Sequence, residues 1–100
     1  MTTMPTYITL LNYTEQGIAT VESSPNRIEA AKELAEDLGG EFQAFYLTFG
    51  QYDGVAIVDF PDDETAAEYA LTIGKAGNAG TETLKAFTED EFRDIAETLT

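Results

Sequence analysis

The most distinctive pair of reactive side chains is Tyr52-Asp53, which lies inside the stretch Gly50-Gln51-Tyr52-Asp53-Gly54. Here the carboxylate could act as a general base or hold a ligand, while the neighbouring phenol donates a hydrogen bond. A structural interpretation competes, because Asp followed by Gly is common in turns and a tyrosine packs well on a sheet. We favour the structural interpretation and keep Tyr52 and Asp53 as candidate ligand-binding residues.

Two further groups of side chains could contribute to a binding site. Asn78, Thr81 and Thr83 stand at the opening of a predicted strand, where loop hydrogen bonding and an outward-facing surface are the commoner roles. Three tyrosines on other predicted strands could line a pocket between the sheet and a partner, although an aromatic core is the commoner outcome. These are Tyr7, Tyr13 and Tyr46.

Histidine and cysteine are both absent from the sequence. Their absence excludes imidazole acid–base catalysis, thiolate nucleophiles, disulfides, His-ligated haem and most transition-metal sites. Asp62, Asp63 and Glu64 favour the capping of a helix over a metal site, because acids in a first helical turn complement the helix dipole. No phosphate-binding loop, nucleophile elbow or dinucleotide fingerprint occurs, so the sequence implies no cofactor and no metal.

The net charge of −14, from 19 acidic and 5 basic residues, restricts the partners. Such a chain repels nucleic-acid phosphates and anionic lipid surfaces, so we expect neither as a partner. We interpret the acidity as adaptation to molar salt, where a Debye length of about 3 Å nearly removes repulsion between carboxylates. An ordinary acidic protein that tolerates its charge is the alternative. No apolar run approaches the ~20 residues of a membrane span and no signal peptide is evident, so we expect a cytoplasmic protein.

The elements that must position these residues follow from hydrophobic periodicity. Helical spacing predicts one helix with Ser24 as its N-cap and Pro25 next, and a second that starts at residues 61–64. A capping box of Thr88 with Glu91 starts a short terminal helix. Alternating apolar residues predict the strands Tyr7–Tyr13, Glu41–Phe49, Tyr52–Phe60 and Thr81–Phe87.

The order βαββαβ plus a terminal helix predicts one α+β domain over residues 1–100. It is a ferredoxin-like arrangement, with both crossover helices on one face of an antiparallel four-stranded sheet.

Both faces of this predicted sheet are apolar. Strict alternation in the second strand places Phe42 and Tyr46 on one face and Phe45 and Phe49 on the other. Because the two helices cover only one face, the other face needs a second cover. A second copy of the chain, which would form a dimeric α/β barrel, is favoured over a monomer with the terminal helix folded across the face.

The stretch Gly50-Gln51-Tyr52-Asp53 resembles the Gly-x-Tyr-Asp turn of the GYD-domain family. The resemblance covers nearly the whole chain and implies a ferredoxin-like fold of the dimeric α/β-barrel type. It makes Gly50, Tyr52 and Asp53 the motif residues and implies no particular activity. The other matching segments are Thr14–Gly17, Ser24–Arg27, Leu38–Gly40, Pro61–Asp63, Gly77-Asn78 and Thr83–Phe87.

We therefore expect a homodimer, formed through the sheet face, that binds a small molecule or a partner protein without catalysis. The alternative is a cofactor-independent enzyme, monooxygenase- or isomerase-like, with a pocket between sheet and helices and with Asp53 or Tyr52 as base or donor. A closed interface without a pocket would argue against the enzyme. A cavity of roughly 300 Å³ lined by several candidate residues would favour it.

Overall fold

A computed structural model describes residues 4–99 of the chain. Its elements are β1 (Thr6–Tyr13), α1 (Glu15–Ala19), a 3-10 turn (Val21–Ser23), α2 (Ser24–Asp37), β2 (Glu41–Leu47), β3 (Gly54–Asp59), α3 (Asp63–Lys75), β4 (Ala79–Ala86) and α4 (Glu89–Glu97). The four strands form one antiparallel sheet in the order β2-β3-β1-β4. The predicted ferredoxin-like α+β fold is thereby confirmed. Within the described part of the chain, no helix is long and apolar enough to cross a membrane.

The helix starts follow the predicted capping chemistry with one correction. Asp62 is the N-cap of α3, where its Oδ1 accepts a hydrogen bond from the Thr65 backbone N–H at 2.8 Å. The predicted capping box at the start of α4 is confirmed. For α2, however, the N-cap is Ser23 and not Ser24, because Ser24 has already adopted helical dihedral angles.

The hairpin between β2 and β3 has a longer turn than predicted. β2 ends at Leu47 and β3 begins at Gly54, so each strand stops two residues short of the approximate ends predicted at Phe49 and Tyr52. The reason is that Thr48 closes the turn on itself. Its N–H donates to the Asp53 carbonyl at 3.0 Å, and its Oγ1 donates to the Tyr52 carbonyl at 2.7 Å.

A β-bulge at Gln43 overturns the predicted alternation of β2. Phe42 pairs with Val58 and Ala44 pairs with Ile57, so the register shifts by one residue between them. The extra residue places Phe42 on the same face as Phe45, both packed against the buried core. The prediction that Phe42 shares a face with Tyr46 is therefore wrong.

The core lies between the sheet and the helices α2 and α3. The rings of Tyr7, Phe60 and Tyr69 stack in tilted pairs, with centroids 5.9 Å and 4.9 Å apart. Phe60 is 1% exposed and Val58 is 0% exposed. Truncation of a buried phenylalanine to alanine costs about 3–5 kcal/mol, so this aromatic cluster fixes the sheet against the helices.

The terminal helix α4 stands apart from the rest of the fold. It makes no extended contact with the sheet or with another helix among the described residues. Its apolar residues Phe92 and Ile95 are exposed, as is Leu99 just beyond it. The structure is correspondingly elongated, with extents of 51 × 31 × 18 Å and a radius of gyration of 14.8 Å, against about 13 Å for a compact domain of this length.

Candidate functional site

A cavity of about 310 Å³ lies between the sheet and the two long helices. Its walls are mostly apolar, and it opens to solvent on one side. The sheet contributes Leu11, Phe42, Phe45 and Ala56, and the helices contribute Ile28, Ala30, Ala31, Leu34, Tyr69, Ile73 and Ala76. The volume corresponds to roughly ten water molecules at ~30 Å³ each and falls at the lower end of the range for small-molecule pockets.

Short side chains on both the sheet and the helices leave space for the cavity. Ala31 on α2 and Ala56 on β3 both line the cavity, and neither side chain is long enough to fill it. Protein interiors are normally packed to crystal-like density, so an unfilled volume of this size within a small domain is unusual. The position of the cavity is therefore set by small residues, Ala31 and Ala56, among larger apolar residues.

A few polar groups line the cavity. The Thr9 side chain points into it from the centre of β1, and the residue is only 8% exposed. Within residues 4–99 its hydroxyl makes no hydrogen bond, but it is accessible from the cavity. Tyr13, Asn78 and Thr81 line the end of the cavity where β1 and β4 meet the loop after α3.

Arg27 is the single charged residue among those that line the cavity, and protein acceptors already occupy its guanidinium. Its Nη2 donates to the Gly17 carbonyl at 3.1 Å and to Ser24 Oγ at 3.0 Å. Its Nη1 donates to Thr20 Oγ1 at 3.1 Å and to the Thr20 carbonyl at 3.3 Å. Arg27 therefore fixes the short α1 segment against α2.

The loop that carries Asn78 is held against the end of β1. Thr14 donates its N–H to the Asn78 carbonyl at 3.2 Å and its Oγ1 to the Gly77 carbonyl at 2.6 Å. Asn78 Oδ1 accepts a hydrogen bond from Gln16 Nε2 at 3.0 Å. A Cβ on Gly17 would lie 1.9 Å from the Asn78 carbonyl oxygen, so only glycine permits this approach.

Asp53 of the Gly-Gln-Tyr-Asp turn extends the pairing between β3 and β1. Its N–H donates to the Leu11 carbonyl at 2.9 Å, and its carboxylate Oδ2 accepts from the Tyr13 N–H at 2.8 Å. The side chain thus replaces the backbone partner that β3 no longer supplies. Gly50, the first motif residue, has a positive φ of 106°, which a non-glycine residue rarely adopts.

The second face of the sheet, which we call the open face, carries no helix. The register places two rows of side chains across it. One row runs Leu84, Ile8, Ile57, Ala44, and the next runs Glu82, Leu10, Val55, Tyr46. Tyr46 is 58% exposed, and Tyr52 donates through its hydroxyl to Glu82 Oε1 at 3.2 Å. Desolvation and the Glu82 carboxylate hold the pKa of Tyr52 above its ordinary value.

At the other end of the sheet, Tyr7 meets an ion pair. Its hydroxyl donates to Asp63 Oδ1 at 2.5 Å, and Lys85 Nζ lies 3.4 Å from the same oxygen. Burial, with the Asp63 carboxylate as a second cause, raises the pKa of Tyr7 to about 12. The hydrogen bond from Tyr7 and the contact with Lys85 hold the pKa of Asp63 below its ordinary value. Tyr7 is thus a hydrogen-bond donor at physiological pH and not a base.

The structure distributes the six candidate residues over four places. Only Tyr13 and Asn78 line the cavity together. Tyr46 and Tyr52 belong to the open face, Tyr7 lies at the opposite end of the sheet, and Asp53 holds the end of β1.

No carboxylate or lysine occurs among the side chains that line the cavity. A search of residues 4–99 finds no cluster of three carboxylates that could hold a metal ion.

Sequence reasoning missed Thr9, Arg27 and the small residues that line the cavity. Thr9 carried a usable signal, because it is the polar residue between Tyr7 and Leu11 at the inward positions of β1. Ala31 and Ala56 gave a weaker signal, because an analysis of hydrophobic periodicity counts alanine as apolar and takes no account of its small volume.

Comparison with known proteins places the chain within a family. The sequence model of the GYD domain matches residues 7–96. The chain is 38% identical over 84 residues to the Thermus thermophilus protein "Glutamine synthetase and cystathionine beta-lyase binding protein", and the match covers 83% of this chain and 88% of that protein.

A solved structure supports the fold. The crystal structure of TTHA0845 from Thermus thermophilus matches with a TM-score of 0.55 and 28% sequence identity. The match covers 85% of this chain and 95% of that one, so the likeness extends over the whole of the smaller protein and not over a fragment of it.

Proposed function

This chain belongs to the GYD domain family, and we propose that it is a homodimeric protein-binding module rather than an enzyme. The observation that carries the proposal is the open face. Seven of the eight side chains in its two central rows are apolar, and Glu82 is the exception. The next row, Ala86, Thr6, Asp59 and Glu41, brings two carboxylates to one end of this face. An apolar centre of this kind, on a protein of net charge −14, is expected to be covered by another protein surface.

A second copy of the chain is the occupant that the dimensions favour. Four strands about 4.8 Å apart and about 20–27 Å long give a face of roughly 450 Å². A stable interface buries about 800 Å² per partner, so the sheet face by itself is too small. The projecting helix α4, with Phe92 and Ile95 exposed, supplies the missing apolar area if it packs against the partner copy.

The charge of the chain gives the dimer a salt dependence. Two copies that each carry −14 repel one another, and at molar salt a Debye length of about 3 Å removes most of that repulsion. Adaptation to high salt, inferred from the same charge, is therefore part of the proposal. The apolar face then associates most strongly where the repulsion between the two copies is screened.

The class of partner comes from the Thermus thermophilus relative, whose name states that it binds glutamine synthetase and cystathionine beta-lyase. We propose by similarity that this chain also binds a metabolic enzyme. Catalysis has less support, because no carboxylate or lysine lines the cavity and the two candidate bases lie elsewhere. Asp53 is engaged by the Tyr13 N–H, and Tyr52 by Glu82.

Light scattering in 2 M KCl at micromolar concentration tests the dimer. We expect a mass of twice 10.9 kDa for the wild type. Leu84→Asp, which puts a charge on the open face at an edge strand, should give the monomer mass. Leu71→Asp is the matched control, since Leu71 is 73% exposed on α3 and away from the open face. A monomeric wild type would overturn the homodimer, and a dimeric Leu84→Asp variant would overturn the open face as its interface.

Enzyme binding is tested separately, with purified glutamine synthetase and cystathionine beta-lyase from the source organism as the probes. Biolayer interferometry on the wild-type dimer in 2 M KCl should detect saturable binding of at least one of them. If neither enzyme binds a properly folded dimer, the similarity to the relative does not extend to its partners. That result would not affect the homodimer, which light scattering tests independently.

A further inference from the structure

We infer that the cavity between the sheet and the helices α2 and α3 binds a small, uncharged, largely apolar ring compound that carries one hydroxyl or carbonyl group. This site is separate from the open face, which lies on the other side of the sheet. Three properties of the cavity carry the inference: its volume, its wall chemistry and the accessible hydroxyl of Thr9.

The volume and the walls define the body of the ligand. A cavity of about 310 Å³ accommodates a bicyclic ring system but leaves no room for a nucleotide or a peptide. Phe42, Phe45 and Tyr69 provide aromatic faces, and Ile28 and Ile73 complete the wall from the two helices. Transfer of an apolar ring from water to such a wall is favourable in proportion to the ligand surface that is buried.

The Thr9 hydroxyl defines the polar group of the ligand. Thr9 is 8% exposed at the centre of β1 and lines the cavity, and no side-chain oxygen among the described residues is both buried and without a hydrogen-bond partner, so its Oγ1 is accessible from the cavity. Because the cavity opens to solvent, water can bond to this hydroxyl in the free protein, and a ligand that displaces the water must replace that hydrogen bond to avoid leaving the hydroxyl unpaired. A hydroxyl or carbonyl oxygen on the ligand would satisfy it, since threonine both donates and accepts.

The charge distribution favours a neutral ligand over an anion. Arg27 is the only cation among the described residues that line the cavity, and protein oxygens already occupy both of its terminal nitrogens. Its hydrogen bonds hold α1 in place and leave little capacity for a carboxylate. The net charge of −14 also repels an approaching anion. A cation is not favoured either, because no carboxylate lines the cavity.

Three related fluorescent probes test the inference: 2-naphthol, naphthalene and 2-naphthoate. The absence of tryptophan removes the strongest source of protein emission near the naphthalene band, so fluorescence titration can follow binding against the weaker background of five tyrosines. We expect saturable binding of 2-naphthol at one site per chain. Naphthalene should bind about 5- to 10-fold more weakly, because it lacks the group that pairs with Thr9. The anion 2-naphthoate should bind more weakly than both.

Two variants locate the site. Thr9→Val keeps the shape and removes the hydroxyl, so it should lower the 2-naphthol affinity to that of naphthalene and leave the naphthalene affinity unchanged. Ala31→Leu fills the cavity and should abolish binding of both probes, while circular dichroism reports an intact fold. Thr83→Val is the matched control, since Thr83 pairs with Thr9 across the strands but does not line the cavity.

Four results would overturn the inference. They are the absence of saturable binding by 2-naphthol, unchanged binding in a folded Ala31→Leu variant, an equal loss of both neutral probes in Thr9→Val, and tighter binding of 2-naphthoate than of 2-naphthol. Repeating the titration on the Leu84→Asp variant separates the cavity from the open face, because the expected affinity for 2-naphthol is the same in monomer and dimer.

Discussion

Replacement of Asp53 by alanine should destabilise the fold and leave binding intact. The Asp53 carboxylate accepts the Tyr13 N–H at 2.8 Å, and no strand lies beyond Gly54 to take its place. A hydrogen bond to a charged group contributes about 1.5–3 kcal/mol, and partial exposure of this one places the expected loss at about 1–2 kcal/mol. The bond from the Asp53 N–H to the Leu11 carbonyl at 2.9 Å is a backbone contact and remains available.

Thermal unfolding, followed by circular dichroism at fixed protein and KCl concentration, measures the loss. A change of 1 kcal/mol moves the midpoint of a domain of this size by about 4–8 °C, so Asp53→Ala should lower it by roughly 5–15 °C. Asp53→Asn should cost less than about half as much, because the amide oxygen can still accept from Tyr13. Asp94→Ala removes the same charge from the exposed surface of α4 and should change the free energy of unfolding by no more than about 0.5 kcal/mol.

Two outcomes would refute this reasoning. If Asp53→Ala unfolds at the wild-type temperature but loses 2-naphthol or enzyme binding, the carboxylate is a functional group and the structural interpretation is wrong. If Asp53→Asn is as damaging as Asp53→Ala, then charge and not the hydrogen bond to Tyr13 stabilises the turn.

Three further predictions test other parts of the structure. Gly17→Ala should cost about 1–3 kcal/mol, because its Cβ would meet the Asn78 carbonyl; Gly74→Ala, with open space around it, should cost nothing and serves as the control in thermal unfolding. The free energy of unfolding should fall as the pH rises from 10 towards 12, because the folded pKa values of Tyr7 and Tyr69 are raised to about 12. It should also fall as the pH drops below about 4, because the folded pKa values of Asp62 and Asp63 are lowered. A pH titration of the unfolding midpoint that is flat in both windows would contradict this. The midpoint should rise from 0.1 M to 2 M KCl, and equal stability at both would contradict adaptation to salt.

The order of elements could be predicted from the sequence because each helix and strand carries its own periodicity. The start of α4 was equally accessible, since the capping box of Thr88 and Glu91 involves residues three positions apart. Local patterns of this kind do not depend on the rest of the fold. They therefore predict the helix or strand whatever the rest of the fold is.

The bulge at Gln43 and the closed turn at Thr48 could not be predicted in the same way. A bulge changes which side chains share a face, but Gln43 carries no signal of its own in an alternating run. The cavity was inaccessible for a related reason. Its volume depends on how far α2 and α3 stand from Ala56, and this distance is a property of the packed layers and not of either helix.

The Gly-Gln-Tyr-Asp turn contacts both proposed binding sites, the open face and the cavity on the other side of the sheet. Tyr52 reaches Glu82 on the open face, while Asp53 holds the Tyr13 N–H on the strand that lines the cavity. The next residue, Thr14, binds the loop of Asn78 at the end of the cavity. The turn therefore positions the end of β1 for both sites without contributing a reactive group to either. This role explains why Tyr52 and Asp53 both form hydrogen bonds within the protein, to Glu82 and to the Tyr13 N–H.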